Sequence, residues 1–348
     1  MRKKLLMALT TSLVIAGLGT ACAEEAADNA VKFDGNVTFH YRSQRDTNAS
    51  DVLNDRNAFK TTITLNATAP LSDKLDAYAR FTYQNINNTE GAFARDFFDK
   101  PSSDLNNAAI DAYGFKYKNA GYTYVVGTQA LTLGGGMAYD NGYIGKYALP
   151  YAINASKKVG IVNLNVIAAR TNYQNDIKND SFYTVQGSYD VSAKTNLGAM
   201  ITYVDYGKDT AKAYNLDKDA TLFSLYGSHK LSDKATVSGE FLTSSVSEQN
   251  NGIQTNLSYK LDEKNGLMAG YYYVEDQANV FDKNAGDMTT WPNNNAKGYV
   301  VAWTHKFDKN TTLKIANLNY KMIERDGGIS QCVTSDRNRF FTNLSVNF

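Results

Sequence analysis

Four basic side chains and one acid have the types and spacing that could carry chemistry in this 348-residue chain. Arg42, Lys60 and Arg80 alternate with apolar residues in three early segments, and Arg339 does so near the carboxyl terminus. On neighbouring strands these cations would share one polar face. If Asp140 lay opposite them across a water-filled gap, the opposed charges would set a transverse field that favours small polar solutes over apolar ones. The alternative is a set of solvated side chains whose charges are screened within about 8–10 Å at physiological salt.

The three histidines, His40, His229 and His305, lie far apart and have neither nucleophile nor metal-ligand spacing. We interpret them as polar residues on strands or near strand ends. His305 is expected to join an aromatic belt with the residues that alternate with it, Tyr299, Val301, Trp303 and Phe307. The sequence therefore predicts no catalytic residue, no metal and no cofactor.

Two further groups of residues invite a chemical interpretation. The tyrosines at 271–273 resemble a slide of rings for a sugar, but consecutive strand residues alternate in direction, so only Tyr272 would point inward. The other two then fit an aromatic belt. Asp276, Asp282 and Asp287 could bind calcium, but no calcium-loop spacing supports this, and solvated loop acids are the preferred interpretation.

Alternation of apolar and polar residues predicts the elements that position these side chains. In the last eleven residues, one face carries Phe340, Thr342, Leu344, Val346 and Phe348, and the other carries Arg339, Asn343, Ser345 and Asn347, with Phe341 as the exception. The same period of two occurs in segments 33–42, 59–68 and 75–84, each about the ten residues that a tilted membrane strand needs. A terminal strand that ends on the aromatic Phe348 favours a transmembrane barrel, whose outward faces meet lipid.

The connections between these segments are of two kinds. Short polar turns are predicted at 71–74, 119–121, 157–160, 191–194, 231–234, 262–266 and 308–310. Mostly longer stretches rich in Asn, Asp and Gly alternate with them at 45–56, 87–108, 131–145, 174–180, 207–219, 276–296 and 324–336, with a short one near 248–251. Short periplasmic turns and long external loops are the asymmetry of outer-membrane barrels.

We expect a single all-β domain, an up-and-down antiparallel barrel of about sixteen strands with both termini on the short-turn side. Segments 147–156 and 313–322 alternate poorly, so fourteen or eighteen strands remain alternatives. A secreted propeller or tandem sandwiches would also alternate, but they favour more uniform loops and more tryptophan and proline. The chain has two tryptophans, four prolines and twenty-four tyrosines, a balance typical of strands.

Residues 1–23 have the parts of a cleavable secretory signal: a basic start, a short apolar stretch, and small residues before the expected cleavage site after Ala23. Lipid attachment at Cys22 is an alternative. The mature chain, 24–348, would carry 33 basic and 35 acidic residues, a balance of 33 − 35 = −2 that argues against a nucleic-acid partner. Cys332 would be its only cysteine, so no internal disulfide can form, and we interpret this thiol as incidental.

The chain resembles the sixteen-stranded general porins of Gram-negative bacteria. The resemblance covers the layout of the mature chain, and in motif it rests on the signal, on Phe348 and on the segments Gly127-Thr128-Gln129 and Leu133-Gly134-Gly135-Gly136-Met137-Ala138-Tyr139-Asp140. It implies a third loop that folds inward, with Tyr139 and Asp140 at the constriction beside Arg42, Lys60, Arg80 and Arg339. It also implies a homotrimer in outer-membrane lipid and lipopolysaccharide, and an assembly machinery that reads the strand ending in Phe348.

The function expected from these features is passive diffusion of small hydrophilic solutes, with a weak anion preference arising from the basic cluster. Two alternatives stay open. One is a channel specific for a sugar or for phosphate. The other is a surface or adhesive barrel that acts through its external loops, chiefly 87–108 and 276–296.

Overall fold

The computed structural model describes residues 30–48, 53–87, 106–140, 144–145, 148–171, 180–207, 219–279, 294–323 and 335–348. The signal predicted at 1–23, as well as Asp282, Asp287 and Cys332, lies outside these residues. Within them the chain is all-β. No helix of the described residues is long and apolar enough to span a membrane.

Eighteen strands follow one another in the described residues. The first nine are β1 (Lys32–Asn48), β2 (Leu53–Ser72), β3 (Leu75–Ile86), β4 (Asn106–Asn119), β5 (Tyr122–Thr128), β6 (Thr132–Leu133), β7 (Tyr139–Asp140), β8 (Tyr151–Val159) and β9 (Val162–Arg170). The others are β10 (Ser181–Ser192), β11 (Thr195–Asp205), β12 (Asp219–Lys230), β13 (Ala235–Ser244), β14 (Asn251–Lys260), β15 (Asn265–Val274), β16 (Ala296–Lys306), β17 (Thr311–Met322) and β18 (Ser335–Asn347).

Sixteen of these strands close into one antiparallel barrel, while β6 and β7 form a separate hairpin. Neighbours in the chain are neighbours in the barrel, and β18 closes it against β1 from the pair Asn36 and Asn347 to the pair Asn48 and Ser335. Closure leaves no strand edge unpaired, which is the condition for a sheet that crosses lipid. The prediction of sixteen strands is confirmed.

The two faces of each strand have the predicted opposite character. In β1, Phe39 is 51% exposed on the outer surface, whereas the neighbouring His40 is 2% exposed inside. The outer surface is apolar around the barrel, because the outward residues of the other strands include Phe59, Ile110, Phe115, Ile153, Val185, Ile201, Leu225, Ile253 and Val301. Contiguous apolar surface of this extent requires an apolar surrounding such as lipid.

The connections confirm the predicted asymmetry. One rim has turns of two residues, as at 73–74, to four residues, as at 231–234, whereas connections on the other rim reach twenty-two residues at 129–150. Side-chain hydrogen bonds stabilise the short turns: the hydroxyl oxygens of Ser72 and Ser232 accept from the backbone N–H groups of Lys74 and Lys234 at 3.4 and 3.2 Å. These side chains replace strand hydrogen bonds where the chain reverses.

The predicted loop at 45–56 is wrong at both ends, because β1 continues to Asn48 and β2 begins at Leu53. Arg45 and Asp55 oppose each other across these two strands, and the Arg45 Nε atom lies 2.8 Å from Asp55 Oδ1. Such a cross-strand pair of opposite charge favours pairing of a segment whose polar composition predicts a loop.

Candidate functional site

The connection between β5 and β8 enters the barrel, and Gln129 fixes its base. The backbone N–H of Gln129 donates to Pro150 O at 3.2 Å, while its Nε2 atom donates to Val125 O and to Ala152 O at 3.1 Å each. The first and last residues of the connection are thereby held together at the inner wall. The predicted inward third loop is thus present, and we call residues 129–140 the constriction segment.

The β6–β7 hairpin gives the constriction segment two different faces. Leu133 pairs with Tyr139, and both are buried, with the Tyr139 ring centroid 5.7 Å from that of Phe182 on β10. Thr132 pairs with Asp140 on the other face, where the Thr132 hydroxyl donates to Asp140 Oδ1 at 3.2 Å. Tyr139 therefore contacts the wall and is not exposed to the lumen, while Asp140 lies on the face turned away from that wall.

A single carboxylate on β13 anchors the tip of the constriction segment. Glu240 is buried and accepts hydrogen bonds from the Met137 N–H at 2.9 Å, from the Ser224 hydroxyl at 2.6 Å and from Gln254 Nε2 at 3.2 Å. The Gly135 N–H also bonds to it. A buried carboxylate with four donors is well satisfied, and two of these donors belong to the segment.

The glycines of the constriction segment are required by this close approach. A Cβ atom on Gly134 would lie 2.4 Å from Glu240 Oε1, and one on Gly135 would lie 2.7 Å from Glu240 Oε2. Gly134 also has a φ of 65°, a conformation that residues with a side chain rarely adopt. Gly134 and Gly135 therefore let the segment bend sharply and lie against the wall.

A second inward segment holds the constriction segment from its other side. Residues 275–279, which follow β15, place Asn279 so that its Nδ2 atom donates to Met137 O at 2.8 Å. Asn294, just before β16, donates from Nδ2 to Asp276 O at 2.7 Å. Asp276 lies in the loop between β15 and β16, as predicted, but it is only 6% exposed, so the prediction that it is a solvated acid is wrong.

The inner wall is not uniformly polar, contrary to the simple alternation rule. One apolar cluster contains inward residues of β9 to β17 together with the constriction segment, among them Ile167, Phe182, Met200, Leu222, Leu242, Tyr272, Val300 and Leu318. Leu133, Met137 and Tyr139 of the segment and Ala278 of the connection after β15 belong to the same cluster. At the height of the constriction segment, this part of the wall is thus a docking surface for the loop.

Three of the four cations predicted for the lumen lie on the remaining wall, formed by β2, β1, β18 and β17. Arg42, Lys60 and Arg339 all occupy inner positions and are buried, with exposed fractions of 2%, 8% and 2%. They are therefore part of the wall and not freely solvated side chains. Arg339 Nε donates to Gln44 Oε1 at 2.9 Å, which fixes it beside β1.

Cross-strand pairing arranges this basic wall in rows. One row joins Lys60 to His40 across β2 and β1, and continues through Asn343 to Lys314. A row farther up contains Arg56 and Arg339 on either side of Gln44. The next row contains Asp46, which is the one carboxylate that the described residues contribute to the three rows. Asp46 accepts hydrogen bonds from both Arg56 and Arg337. The wall is strongly positive in the described part of the chain.

Arg80 has a different role from the one its position predicts. Its Nε and Nη2 atoms donate to the two oxygens of Asp111 at 2.7 and 2.9 Å, a bidentate ion pair with a fully buried carboxylate. Asp111 also accepts from the Thr82 hydroxyl at 3.1 Å and from the Gly145 N–H at 3.0 Å. Arg80 is therefore neutralised and supports the return of the loop to the wall.

The structure shows on which side of the barrel wall the remaining aromatic and histidine residues lie. Tyr272 is 1% exposed whereas Tyr271 is 48% exposed, so the former points inward as expected. His305 lies on the outer face between Trp303 and Phe307, with ring centroids 5.6 and 4.8 Å away. His40 is inside, with its ring 5.5 Å from that of Phe341. No cluster of three potential metal ligands occurs among the described residues.

Sequence reasoning missed Glu240 and Asp111, the two carboxylates that hold the loop, and it missed Lys314, Arg56 and Arg337 on the basic wall. Each of these occupies an inner position of an alternating strand. The available signal was a charged residue facing inward from a strand whose other inward residues are small or apolar, as for Glu240 among Ser238 and Leu242.

Comparison with known proteins identifies solved structures of similar fold. Neither protein-family models nor curated proteins give a match. Among solved structures, a triple mutant of Rhodopseudomonas blastica porin is 12% identical and covers 91% of this chain and 100% of its own, with a TM-score of 0.56. Another mutant of Rh. blastica porin gives a TM-score of 0.57 at 12% identity with the same coverage.

A closed sixteen-stranded antiparallel barrel with an inward loop after its fifth strand defines the class of fold. The chain has the fold of the porins, which confirms the resemblance at the level of the fold.

Proposed function

We propose that the chain forms a water-filled channel for passive diffusion of small hydrophilic solutes and ions, with a weak anion preference. The observation that carries this proposal is the division of the inner wall: the constriction segment docks on the apolar half, and the basic half is left to line the passage. A loop held across the lumen narrows a barrel without closing it.

The polarity of the inner surface supports a wet lumen. Asn154, Asn165, Asn256 and Asn343 occupy inner positions, where they pair across the strands with other inward residues. Amide side chains on inner positions of β8, β9, β14 and β18 make the interior polar on several sides of the barrel.

The charge distribution supports the anion preference. Cations on β2, β1, β18 and β17 face inward, and Asp140 lies on the face of the hairpin that turns away from the docking wall. A transverse field of this kind orders water and disfavours apolar solutes, and an excess of positive charge raises the local anion concentration.

The outer-membrane location belongs to the same proposal. The apolar outer surface, the short-turn rim and the signal expected at 1–23 support export followed by insertion as a multi-pass barrel, with outer-membrane lipid and lipopolysaccharide around it. A homotrimer, and assembly machinery that recognises the strand ending in Phe348, are the partners proposed from the porin resemblance.

Planar-bilayer recordings of the refolded mature chain in a salt gradient test this function. We expect stepwise conductance and a reversal potential of anionic sign, reduced by the double substitution Arg42→Gln and Lys60→Gln. The matched control is Lys297→Gln with Lys321→Gln, an exposed pair that face each other across β16 and β17 on outward positions. A clear cation preference, or a sign that ignores the wall substitutions, refutes the selectivity.

The same recordings address the two other functions. A barrel that acts only through its external loops gives no conductance. A solute-specific channel gives conductance that a sugar or phosphate blocks at low concentration.

A further inference from the structure

The short-turn end of the barrel carries lysines at inner positions of five strands. They are Lys118 on β4, Lys158 on β8, Lys230 on β12, Lys260 on β14 and Lys306 on β16. We call these five residues the mouth ring. All five belong to strands that run toward the short turns, and each lies at the end of its strand or one residue before it.

Strand pairing determines the direction of these side chains. Lys230, Lys260 and Lys306 still pair with Thr236, Gly266 and Thr312, so the alternation of faces continues to the rim. Their neighbours one residue away face outward, as shown by Tyr259, which is 42% exposed on the outer surface. The lysines must therefore face the opening of the lumen.

The backbone places a second lysine beside four members of the mouth ring. The amide N–H groups of Lys118, Lys230, Lys260 and Lys306 donate to the carbonyl oxygens of lysines in the neighbouring turns at 2.7–2.8 Å. The accepting residues are Lys74, Lys194, Lys234 and Lys264. Adjacent lysines raise the positive potential at the rim, because like charges at short separation add their fields.

Carboxylates near the rim offset this charge only in part. Seven lysines occupy inner positions near this rim: the five of the mouth ring, Lys32 and Lys116. Three acids occupy inner positions there, Asp34, Asp76 and Asp190, so the net charge is 7 − 3 = +4. Asp34 and Asp190 accept hydrogen bonds from Asn66 and Asn196 at 2.6 and 2.9 Å.

The turn acids are also engaged locally. Asp262 Oδ1 accepts from the Lys264 and Asn265 N–H groups at 2.8 Å each, and Asp308 does the same for Asn310 and Thr311. No mouth-ring lysine forms an ion pair with a carboxylate in the part of the chain that the structure describes.

We propose that the mouth ring is a second selectivity element of the channel, an anion-collecting vestibule at the short-turn opening that acts on small multivalent anions. It rests on the proposed channel function and is separate from the basic wall. Rings of lysine or arginine select anions in pores. Because the ring lies at one end only, it makes the response to a multivalent anion depend on the side of addition.

The triple substitution Lys230→Gln, Lys260→Gln and Lys306→Gln tests the mouth ring. At 0.1 M salt, one lysine about 10 Å away raises the local concentration of a monovalent anion about 1.3-fold, so three lysines raise it about twofold. Because the same potential lowers the local concentration of a monovalent cation by the same factor, we expect the anion-to-cation permeability ratio to fall about fivefold at 0.1 M salt and further at 0.01 M. At 1 M salt the difference should nearly vanish.

The matched control removes three charges from the outer surface: Lys157→Gln, Lys297→Gln and Lys321→Gln. Lys157 lies 4.1 Å from the Tyr122 ring centroid, on the outside of the same rim. The control should leave the permeability ratio unchanged. An equal fall in both triple variants would show that only net charge matters and would overturn the proposal.

Sidedness provides an independent measurement with inorganic pyrophosphate as the probe. In a chain with Cys332→Ser and a biotinylated Lys309→Cys, avidin identifies the compartment that the short turns face. Pyrophosphate added there should reduce chloride current at a lower concentration than from the other side, and the mouth-ring variant should abolish the difference. Side-independent block by an anion-preferring parent channel overturns the vestibule alone, whereas absent conductance or a cation-preferring parent overturns the proposed function.

Discussion

Removing the Glu240 carboxylate should loosen the constriction segment without unfolding the barrel. In Glu240→Ala, the Gly135 and Met137 N–H groups lose a charged acceptor. A hydrogen bond to a charged group contributes about 1.5–3 kcal/mol, so the loop loses about 3–6 kcal/mol of docking free energy. A loss of about 3 kcal/mol alone changes the ratio of docked to undocked loop about 150-fold.

Apolar packing opposes full release. Leu133, Met137 and Tyr139 remain buried against the wall, and burial of such a side chain stabilises by about 1.5–3 kcal/mol each. The loop should therefore stay docked most of the time and detach transiently. We expect single-channel traces of Glu240→Ala to switch between the parent conductance and a higher level, and the double variant Glu240→Ala with Tyr139→Ala to remain at the higher level.

Two controls separate loop release from general damage. Glu240→Gln keeps one acceptor oxygen and should lie between the parent and the alanine variant. Gln254→Ala removes a partner of Glu240 that belongs to the neighbouring strand β14 and not to the loop, and it should leave the traces nearly unchanged. Parent-like traces from Glu240→Ala in a barrel with unchanged strand circular dichroism would refute the anchoring role.

Three further results are expected. Asp111→Asn weakens the bidentate pair with Arg80 and should lower the midpoint of thermal unfolding while increasing current noise, because a partly buried guanidinium loses its counter-charge; an unchanged midpoint contradicts this. Gly135→Ala places a methyl group 2.7 Å from Glu240 Oε2 and should raise conductance, whereas the control Gly266→Ala meets no atom closer than 3.8 Å and should not. Deleting Phe348 removes two backbone hydrogen bonds to Gly35 and should reduce the yield of folded barrel measured by gel mobility before and after heating.

Local patterns in the sequence were sufficient for most of the barrel. Alternation identified the strands because one face meets an apolar surrounding and the other meets the interior, and the two kinds of connection set their number. It failed at 45–56, where Arg45 and Asp55 stabilise strand pairing in a polar segment. A local pattern cannot report that compensation, because the two charges belong to different strands.

The site was less predictable because its key contacts are distant in sequence. Met137 and Glu240 are separated by 103 residues, and nothing near either one reports the other. Gly134 and Gly135 approach Glu240 closely, but a run of glycines does not identify its partner in the sequence. The porin resemblance placed both Tyr139 and Asp140 at the constriction, yet in a two-stranded hairpin neighbouring residues face opposite ways.

The position of the loop is determined by which part of the inner wall can be covered by apolar side chains. The wall at β9 to β16 presents side chains such as Phe182, Leu222 and Leu242, whose burial is favourable only if something apolar covers them. The wall at β1, β2 and β18 presents Arg42 and Lys60, and an apolar loop would offer these buried charges neither a counter-charge nor a hydrogen-bond acceptor. Leu133 and Tyr139 therefore dock on the first wall, and this choice leaves the hairpin face that carries Asp140 directed toward the lumen. Inward residues that break the polar alternation thus define where a loop lies, and the inward cations define where the passage remains.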